Sequence, residues 1–454
     1  MMDTSIKLME AEKIAAKITA QNVHDVLRKK MLVDGFNFVL DLERSHGLII
    51  VDKKTGDEYL DFFSFFASSP VGLNHLKINT PEFREKLADA AMNKTSNSDI
   101  YTVEMAKFVD TFSRITVPDC FKHLFFVDGG ALAVENGLKV AFDWKVKKNF
   151  IRGYKEERGT QVIHFREAFH GRSGYTMSLT NTDPAKVALY PKFNWPRIIN
   201  PKINFPLNEN INQIINLENQ AIDEIQTAIK YNRDDIALII IEPIQGEGGD
   251  NFFRKEFFMK LRQIADENEI LLMFDEVQTG LGMTGKMWAF EHFVEHDIIA
   301  LGKKVQVCGI MVNDRIDDVS ENVFKKSSRI NSTWGGNLTD MVRSEKNLQI
   351  IEEENLVANA RIMGNYLLDC LIDLQNEFPE YVTQARGLGL MCSFNLPSKE
   401  IRNKFLAELY ENKMVMLGCG AYSVRFRPSL IVTKENIDDG ILRIKNVLYN
   451  LRKS

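Results

Sequence analysis

Short apolar runs alternate with helical stretches along the middle of the chain. Strands are predicted at 123–127, 162–165, 236–241, 270–274, 297–301 and 308–312. The spacing of apolar residues predicts three helices between these strands. One follows the strand 123–127 and extends to about Lys145, one covers Arg254 to Glu267, and one lies around Trp288. Strands that alternate with helices in this way are typical of βαβ units, in which helices cover both faces of a mainly parallel sheet. The pattern therefore predicts an α/β fold.

The two ends of the chain show a different order of predicted helices and strands. A helical apolar rhythm runs through residues 6–32, and short strands are predicted at 36–42, 48–51 and 59–62. After about Asn337 we expect helices at 340–353, 358–377 and 437–451, with short strands near 384–394, 414–417 and 424–427. These patterns predict three regions. They are an N-terminal helix and strands over 1–70 that pack with the small domain, a large domain over 71–336, and a small α+β domain over 337–454.

Composition narrows the class of protein. Of 454 residues, 44% are hydrophobic and 26% are charged, and the formal net charge is −5, so we expect a globular protein that is no dedicated nucleic-acid binder. The longest aliphatic run, 236–241, is far shorter than the roughly 20 residues of a membrane span. Residues 1–7 hold no apolar segment, so no signal peptide is expected. The five scattered cysteines (Cys120, Cys308, Cys370, Cys392, Cys419) predict reduced thiols and a cytoplasmic location.

Residues that follow the predicted strands are the first candidates for chemistry, because ligands of open parallel sheets bind at the carboxyl ends of the strands. Gly129, Gly130 and Ala131 precede a helix whose N-terminus could hold a phosphate. Phe169 offers an aromatic face, and Arg172 could clamp a carboxylate with two hydrogen bonds. Each of these residues alone is as compatible with an ordinary turn or surface loop.

Acids and a lysine follow the other strands. Glu242 and Glu247 come after the run 236–241. Asp275 ends a buried strand and therefore needs a cationic partner; a protonated pyridine, a metal ion or a buried arginine would serve equally. Lys303 follows the run 297–301, where desolvation would lower its pKa as a Schiff-base amine requires.

Two further motifs match known patterns only in part. The stretch 280–287 fits GxGxxG and the start of a P-loop, but Met287 stands where a P-loop has its Ser or Thr. Residues 275–279 also separate it from the strand that a dinucleotide loop should follow directly. His292 and His296 fit the HxxEH zinc pattern, yet no other zinc signature supports it. We expect neither a nucleotide site nor a metal site.

Taken together, these strand ends resemble the class III pyridoxal-phosphate aminotransferases of fold type I. The stretch 274–280 followed by 297–303 is similar to that family's signature over its whole length, including the gap. The resemblance extends from about Phe36 to about Ile431. It implies a seven-stranded, mainly parallel sheet, pyridoxal 5'-phosphate as the cofactor, and a homodimer with shared active sites.

Four segments (34–42, 129–136, 302–309 and 331–337) are more specifically similar to the lysine 6-aminotransferase branch. Most of the family has Ser-Gly-Ser/Thr-Glu at the phosphate loop, and the Gly-Gly-Ala here departs from that. This likeness implies transfer of the terminal amine of L-lysine to 2-oxoglutarate, which gives L-2-aminoadipate 6-semialdehyde and L-glutamate. Another ω-aminotransferase, acting on ornithine, 4-aminobutyrate or a diamine, remains the alternative, because it would share every cofactor residue.

The resemblance also implies roles in binding the cofactor. Lys303, preferred to Lys304 by its spacing from Asp297, would bond to the cofactor and act as general base and acid. Asp275 would keep the pyridine nitrogen protonated. The remaining cofactor residues would be Gly130 and Ala131 at the phosphate, Phe169 stacked on the ring, Glu242, Gln278 at the phenolic oxygen, and Thr333 reaching into the other subunit.

The resemblance implies roles in substrate binding as well. Arg172 would bind the distal carboxylate in both half-reactions, and Arg425 would bind the carboxylate next to the keto carbon. Glu247 would mask Arg425 whenever that near carboxylate is absent. Gln278 would border the substrate. We prefer Arg425 to its neighbour Arg427 because it precedes Phe and Pro with the family's spacing.

Overall fold

The computed structural model describes residues 18–453. Its strands are β1 (Ile49–Val51), β2 (Glu58–Asp61), β3 (Phe121–Val127), β4 (Gln161–Phe165), β5 (Arg197–Ile198), β6 (Ile236–Ile241), β7 (Leu271–Asp275), β8 (Ile298–Leu301), β9 (Cys308–Asn313), β10 (Thr383–Leu388), β11 (Met391–Asn395), β12 (Met414–Val415), β13 (Leu417–Cys419) and β14 (Ser423–Phe426).

Its α-helices are α1 (Val23–Arg28), α2 (Pro81–Met92), α3 (Val103–Thr116), α4 (Gly130–Ile151), α5 (Thr176–Leu179), α6 (Pro184–Val187), α7 (Leu207–Tyr231), α8 (Lys255–Glu267), α9 (Leu338–Glu353), α10 (Leu356–Glu377), α11 (Lys399–Glu411) and α12 (Lys434–Lys453). Short 3-10 turns lie at Ala20–Asn22, Ala289–His292, Lys303–Val305 and Asp314–Asp318.

A seven-stranded sheet in the order β3-β9-β8-β7-β6-β4-β5 forms the centre of the molecule. Only β9 runs antiparallel to its neighbours, β3 and β8; the other neighbouring strands are parallel. The predicted α/β fold with a mainly parallel seven-stranded sheet is therefore confirmed.

Both faces of this sheet are buried. Along β6, Ile239 and Ile241 pack into one apolar cluster, whereas Leu238 and Ile240 pack into a second cluster on the opposite face. Successive side chains of a strand point to opposite faces, so a strand covered on both sides needs apolar residues throughout. This requirement explains the unbroken apolar run in the sequence.

Two smaller sheets complete the fold. Strands β10, β11, β14 and β13 form an antiparallel sheet of four. In the other, β12 pairs in parallel with β2, so an N-terminal strand is hydrogen-bonded to a C-terminal one. The boundaries 1–70, 71–336 and 337–454 remain a prediction.

Several predicted elements were wrong. The segment 36–42 forms no strand and makes only an isolated bridge between Leu40 and Asp52. Its aromatic residues pack on Tyr410 instead, with the ring of Phe36 6.0 Å away between centroids. Around Trp288 the chain forms only the 3-10 turn Ala289–His292. Of the predicted N-terminal helix, residues 6–17 lie outside the described part of the chain.

A left-handed turn, Ser64–Ala67, follows β2. Its four residues have φ values of 39°, 53°, 60° and 65°, a region that L-residues rarely occupy in succession. Oδ1 of Asp61 accepts the N–H groups of Phe63 and Ser64, both at 2.8 Å, and so fixes the start of the turn. Burial raises the pKa of Asp61 to about 6. The turn carries the side chains of Phe65 and Phe66 to the wall of the cavity described below.

All five cysteines are free thiols. Among residues 18–453, no helix combines the length and the apolar character that crossing a lipid bilayer requires.

Candidate active site

A cavity of about 1210 Å³ opens at the carboxyl ends of the central strands. It brings together most of the residues that the sequence predicted as cofactor or substrate ligands. These are Gly130, Ala131, Phe169, Arg172, Glu242, Glu247, Asp275, Gln278 and Lys303. Arg425 and Thr333 are not among the lining residues of the cavity.

The N-terminus of α4 forms one wall. Gly129 precedes the helix with φ 104°, and no side chain of residues 18–453 caps the helix there. The first N–H groups of a helix have no partner within it and attract anions. Gly171 (φ 116°) presses against this wall, since a Cβ at Gly171 would lie 2.5 Å from the Cβ of Ala131. The loop after β4 is thereby held close to the anion seat.

Asp275, the last residue of β7, has a partner that the sequence analysis missed. Its Oδ2 lies 2.8 Å from Nδ1 of the buried His170, and its Oδ1 accepts the N–H of Val277 at 3.1 Å. Nε2 of His170 is buried and has no hydrogen-bond partner within the described part of the chain. The only signal in the sequence was the position of His170 beside Phe169, because 105 residues separate it from Asp275.

Glu242 joins two loops of the site. Its Oε1 accepts the N–H of Phe169 (2.9 Å), and its Oε2 accepts the N–H of Gly246 (3.0 Å). Burial raises the pKa of Glu242 to about 7. A Cβ at Gly246 would lie 2.1 Å from Oε1 of Gln278, so only glycine leaves room for that amide.

The two adjacent lysines after β8 have different surroundings. Lys303 lines the cavity with φ 46°. Burial lowers the pKa of the Lys303 ammonium, and the positive charge of Arg425 lowers it further. Lys304 is buried outside the cavity lining and donates to the carbonyl oxygen of Gln278 at 2.7 Å. Only Lys303 is placed to reach a ligand in the cavity.

The acid Glu247 contacts two cations. Its Oε2 accepts from Nη1 of Arg425 at 2.9 Å, and its Oε1 forms an ion pair with Nζ of Lys186. Burial alone would raise the pKa of Glu247, but the positive charges of Arg425 and Lys186 outweigh it and lower that pKa. The predicted pairing of Glu247 with Arg425 is present in the structure, whereas Lys186 was not singled out from the sequence.

Arg427, the arginine that competes with Arg425 in the sequence, is locked in place. It forms a two-pronged ion pair with Asp250 and also donates to Oε1 of Gln278, from Nε at 3.1 Å and from Nη2 at 2.8 Å. Arg172, by contrast, is exposed at the cavity and makes no hydrogen bond or ion pair with any other residue in the range 18–453.

Thr333 lies away from the cavity, on an exposed segment. Ser96 Oγ donates to its carbonyl oxygen at 2.7 Å, and the N–H of Asn97 donates to the carbonyl oxygen of the neighbouring Trp334 at 3.2 Å. The aromatic side chain of the neighbouring Trp334 is exposed as well. Thr333 therefore does not line the cavity of this chain.

The glycine-rich stretch 280–287 and the HxxEH pattern 292–296 both contribute to packing. The ring of His296 is buried and stacks on Phe274 with 4.1 Å between centroids. A Cβ at Gly280 would lie 2.4 Å from the side chain of Trp288, so a glycine there permits close packing. Across the part of the chain that the structure describes, no group of three or more His, Cys, Asp or Glu residues could hold a metal ion.

Comparisons with known proteins agree with this geometry. The L-lysine-epsilon aminotransferase of Amycolatopsis lactamdurans is 47% identical over 95% of this chain and 97% of its own. The mitochondrial 4-aminobutyrate aminotransferase of Rattus norvegicus is 32% identical over 90% of this chain and 86% of its own. A solved structure of the lysine aminotransferase of M. tuberculosis superimposes with a TM-score of 0.93 at 50% identity, covering 95% of this chain and 99% of that one.

The family model described as aminotransferase class-III matches residues 32–448. That match spans the central sheet, the cavity and both smaller sheets. The chain belongs to the class III aminotransferases, which use pyridoxal phosphate as their cofactor.

Proposed function

We propose that the protein transfers the terminal amino group of L-lysine to 2-oxoglutarate, giving L-2-aminoadipate 6-semialdehyde and L-glutamate. The observation that carries this proposal is the contrast between two arginines of one site. Arg425 is paired with Glu247, whereas Arg172 has no acidic partner among the described residues. The similarity of about half of all positions to lysine aminotransferases supports the choice of lysine.

The residues of the cavity fit pyridoxal phosphate. An uncapped helix N-terminus suits its phosphate, and the carboxylate of Asp275 suits a protonated ring nitrogen. Lys303 supplies an amine and Phe169 an aromatic face, while Gln278 and Glu242 border the same space. When bound, the cofactor withdraws electrons from the carbon that carries the reacting amine.

The protein's own groups then control protons. The lowered pKa of Lys303 increases the fraction of neutral amine at ordinary pH, so its Nζ can accept the proton that leaves C6 of lysine. Asp275 is held in one orientation by His170 and by the N–H of Val277, and its negative charge stabilises a proton on a ring nitrogen beside it.

Substrate binding follows from the distribution of charge. Lysine has one carboxylate, far from the reacting nitrogen, and Arg172, which has no partner among the described residues, is suited to bind it. 2-Oxoglutarate has a second carboxylate beside its keto carbon. Arg425 is suited to this near carboxylate once Glu247 has moved away. While lysine is bound, Glu247 masks Arg425, because an unpaired buried cation beside an aliphatic chain would be unfavourable.

A homodimer with shared active sites is supported by the surface around Thr333. The segment is exposed and includes the exposed aromatic side chain of Trp334, as expected of a face that a second subunit covers. Thr333 would then reach the phosphate in the other subunit. A cytoplasmic location is supported by the five free thiols, since oxidising compartments favour disulfides.

The decisive experiment mixes the protein, loaded with its cofactor, with L-lysine alone. We expect the visible absorbance of the cofactor to be lost and a cyclic imine that reacts with o-aminobenzaldehyde to form. Ornithine, 4-aminobutyrate and cadaverine serve as competing donors. If one of these donors removes the visible absorbance of the cofactor and lysine does not, the protein is another ω-aminotransferase and not a lysine aminotransferase.

Arg172 allows a matched test of the same proposal. Cadaverine has the two amines of lysine but no carboxylate. Replacing Arg172 by Ala should therefore lower kcat/KM for lysine by about 100-fold or more and leave cadaverine nearly unchanged. An equal loss with both donors would show that Arg172 does not bind the carboxylate of lysine.

A further inference from the structure

The carboxylate of Glu247 is shared between two cations that come from different parts of the fold. Oε2 faces Arg425 on β14, and Oε1 faces Lys186 on α6. Masking of Arg425 requires only the first of these contacts. Lys186 lines the same cavity, and its ammonium lies 5.6 Å from the ring centroid of Phe169. The function described so far gives Lys186 no role.

Release of Arg425 is the difficult step for Glu247. The side chain of Arg425 is only 4% exposed, whereas those of Glu247 and Lys186 are 26% and 29% exposed. A carboxylate that leaves its cation in a partly buried site needs another cation or water in its place. Lys186 is that cation, and it lies on the more exposed side of the acid. Glu247 can therefore leave Arg425 without losing all of its charge pairing.

We propose that Lys186 is a positioning residue that holds Glu247 when Arg425 is released to bind the near carboxylate of the 2-oxo acid or of glutamate. This inference rests on the function proposed above for Glu247 and Arg425.

The count of charges agrees with this role in both half-reactions. With lysine bound, Glu247 lies on Arg425 and Lys186, and the substrate carboxylate lies on Arg172. With 2-oxoglutarate bound, its two carboxylates lie on Arg172 and Arg425, and Glu247 keeps Lys186. Every anion has a cationic partner in each state. Without Lys186, only the second state leaves an anion unpaired.

The test replaces Lys186 by Met, which keeps the aliphatic stem and removes the charge. The two half-reactions of the cofactor-loaded protein are measured separately by single-turnover spectroscopy, with lysine or glutamate as the amine and with 2-oxoglutarate on the aminated form. We expect the apparent Kd for glutamate and 2-oxoglutarate to rise about tenfold, and the values for lysine to stay within about threefold. Lys186→Arg should restore most of the loss.

A second variant shows whether Lys186 acts through Glu247. In a Glu247→Ala background, the change Lys186→Met should have almost no effect on 2-oxoglutarate, because no carboxylate is left to hold. The inference is overturned by an equal loss with all three substrates, by no loss at all, or by a loss that persists in the Glu247→Ala background. A loss confined to lysine would instead show that Lys186 binds the carboxylate of lysine.

The wild-type protein separates this inference from the proposed function. If lysine leaves the wild type unchanged while another ω-amine converts it, the proposed donor is wrong. Glutamate and 2-oxoglutarate still report on Lys186 in that case, because both carry the near carboxylate. Thermal unfolding of each variant verifies that the loaded protein remains folded.

Discussion

Arg425 and Arg427 are two residues apart and carry the same charge, yet their surroundings differ. Arg427 donates to Asp250, which is fully buried, and to Gln278. Among residues 18–453, the side chain of Arg425 makes one hydrogen bond, to an acid that is partly exposed to water. A buried cation can accept a ligand only when its existing partner is able to leave. The partner, rather than the arginine, therefore decides which of the two residues is structural and which can bind substrate.

The largest expected effect is loss of stability at Arg427. Replacing Asp250 by Asn leaves a buried guanidinium without its counter-charge, and we expect the free energy of unfolding to fall by about 3–5 kcal/mol. Urea unfolding of the loaded protein measures this. The matched control is Glu247→Gln, which should lower the free energy of unfolding less, by at most about 2 kcal/mol, because water that reaches the partly exposed position 247 can also solvate Arg425. Equal losses would remove the distinction between the two arginines.

The next effect concerns catalysis at Arg425. Arg425→Gln should lower kcat/KM for 2-oxoglutarate by about 100-fold, because the near carboxylate loses its cation. The half-reaction with lysine should change by less than about fivefold. Single-turnover rates for the two substrates provide the measurement. If the rate of the half-reaction with lysine fell as much as the rate with 2-oxoglutarate, Arg425 would have a structural role like that of Arg427.

Exchange of the partner itself should give a smaller effect. Glu247→Gln removes the negative charge that masks Arg425. We expect the half-reaction with lysine to become about tenfold slower, and the half-reaction with 2-oxoglutarate to proceed at the same rate or faster. The ratio of the two rates is the quantity to follow. A ratio equal to that of the wild type would contradict the masking role.

The smallest effect is a predicted independence from pH. The pKa of Glu247 is lowered by Arg425 and Lys186, so the ion pair is complete above the ordinary pKa of a glutamate and is lost only as the pH falls through the lowered value. The ratio of the two half-reactions in the wild type, divided by the same ratio in Glu247→Gln, should therefore stay constant from about pH 6 to pH 9, because titration of Glu242 and Lys303 affects both proteins. A step in this normalised ratio within that range would show that Glu247 titrates there.

The sequence predicts those parts of the fold and the site that depend on residue type and local order. The apolar run 236–241 indicates a parallel sheet covered on both faces, and the acid that ends β7 indicates the edge of the sheet where ligands bind. Both features are recognisable from the sequence alone. The 25-residue helix α7 was missed because its sequence, rich in Asn, Gln and Glu, buries only four of its residues. Strands predicted at 36–42 were wrong because these aromatic residues pack in a loop.

Apart from the pair of Glu247 with Arg425, which the resemblance to the family implied, contacts between distant residues were not predicted. The bond between His170 and Asp275 joins the loop after β4 to the end of β7, and the ion pair of Lys186 with Glu247 depends on where α6 lies beside the strand ends. Local spacing carries no information about either. The same holds for Lys304, whose bond to the carbonyl of Gln278 distinguishes it from Lys303 in the structure.

The left-handed turn Ser64–Ala67 has a consequence for the engineering of this protein. Each non-glycine residue in that conformation is disfavoured by roughly 1–2 kcal/mol, so glycine at Phe65 or Phe66 would relieve the backbone. The same exchange would remove an aromatic ring from the wall of the substrate cavity. Selection for thermal stability alone would favour such substitutions. The selected variants would be more stable but would discriminate less well between amine substrates.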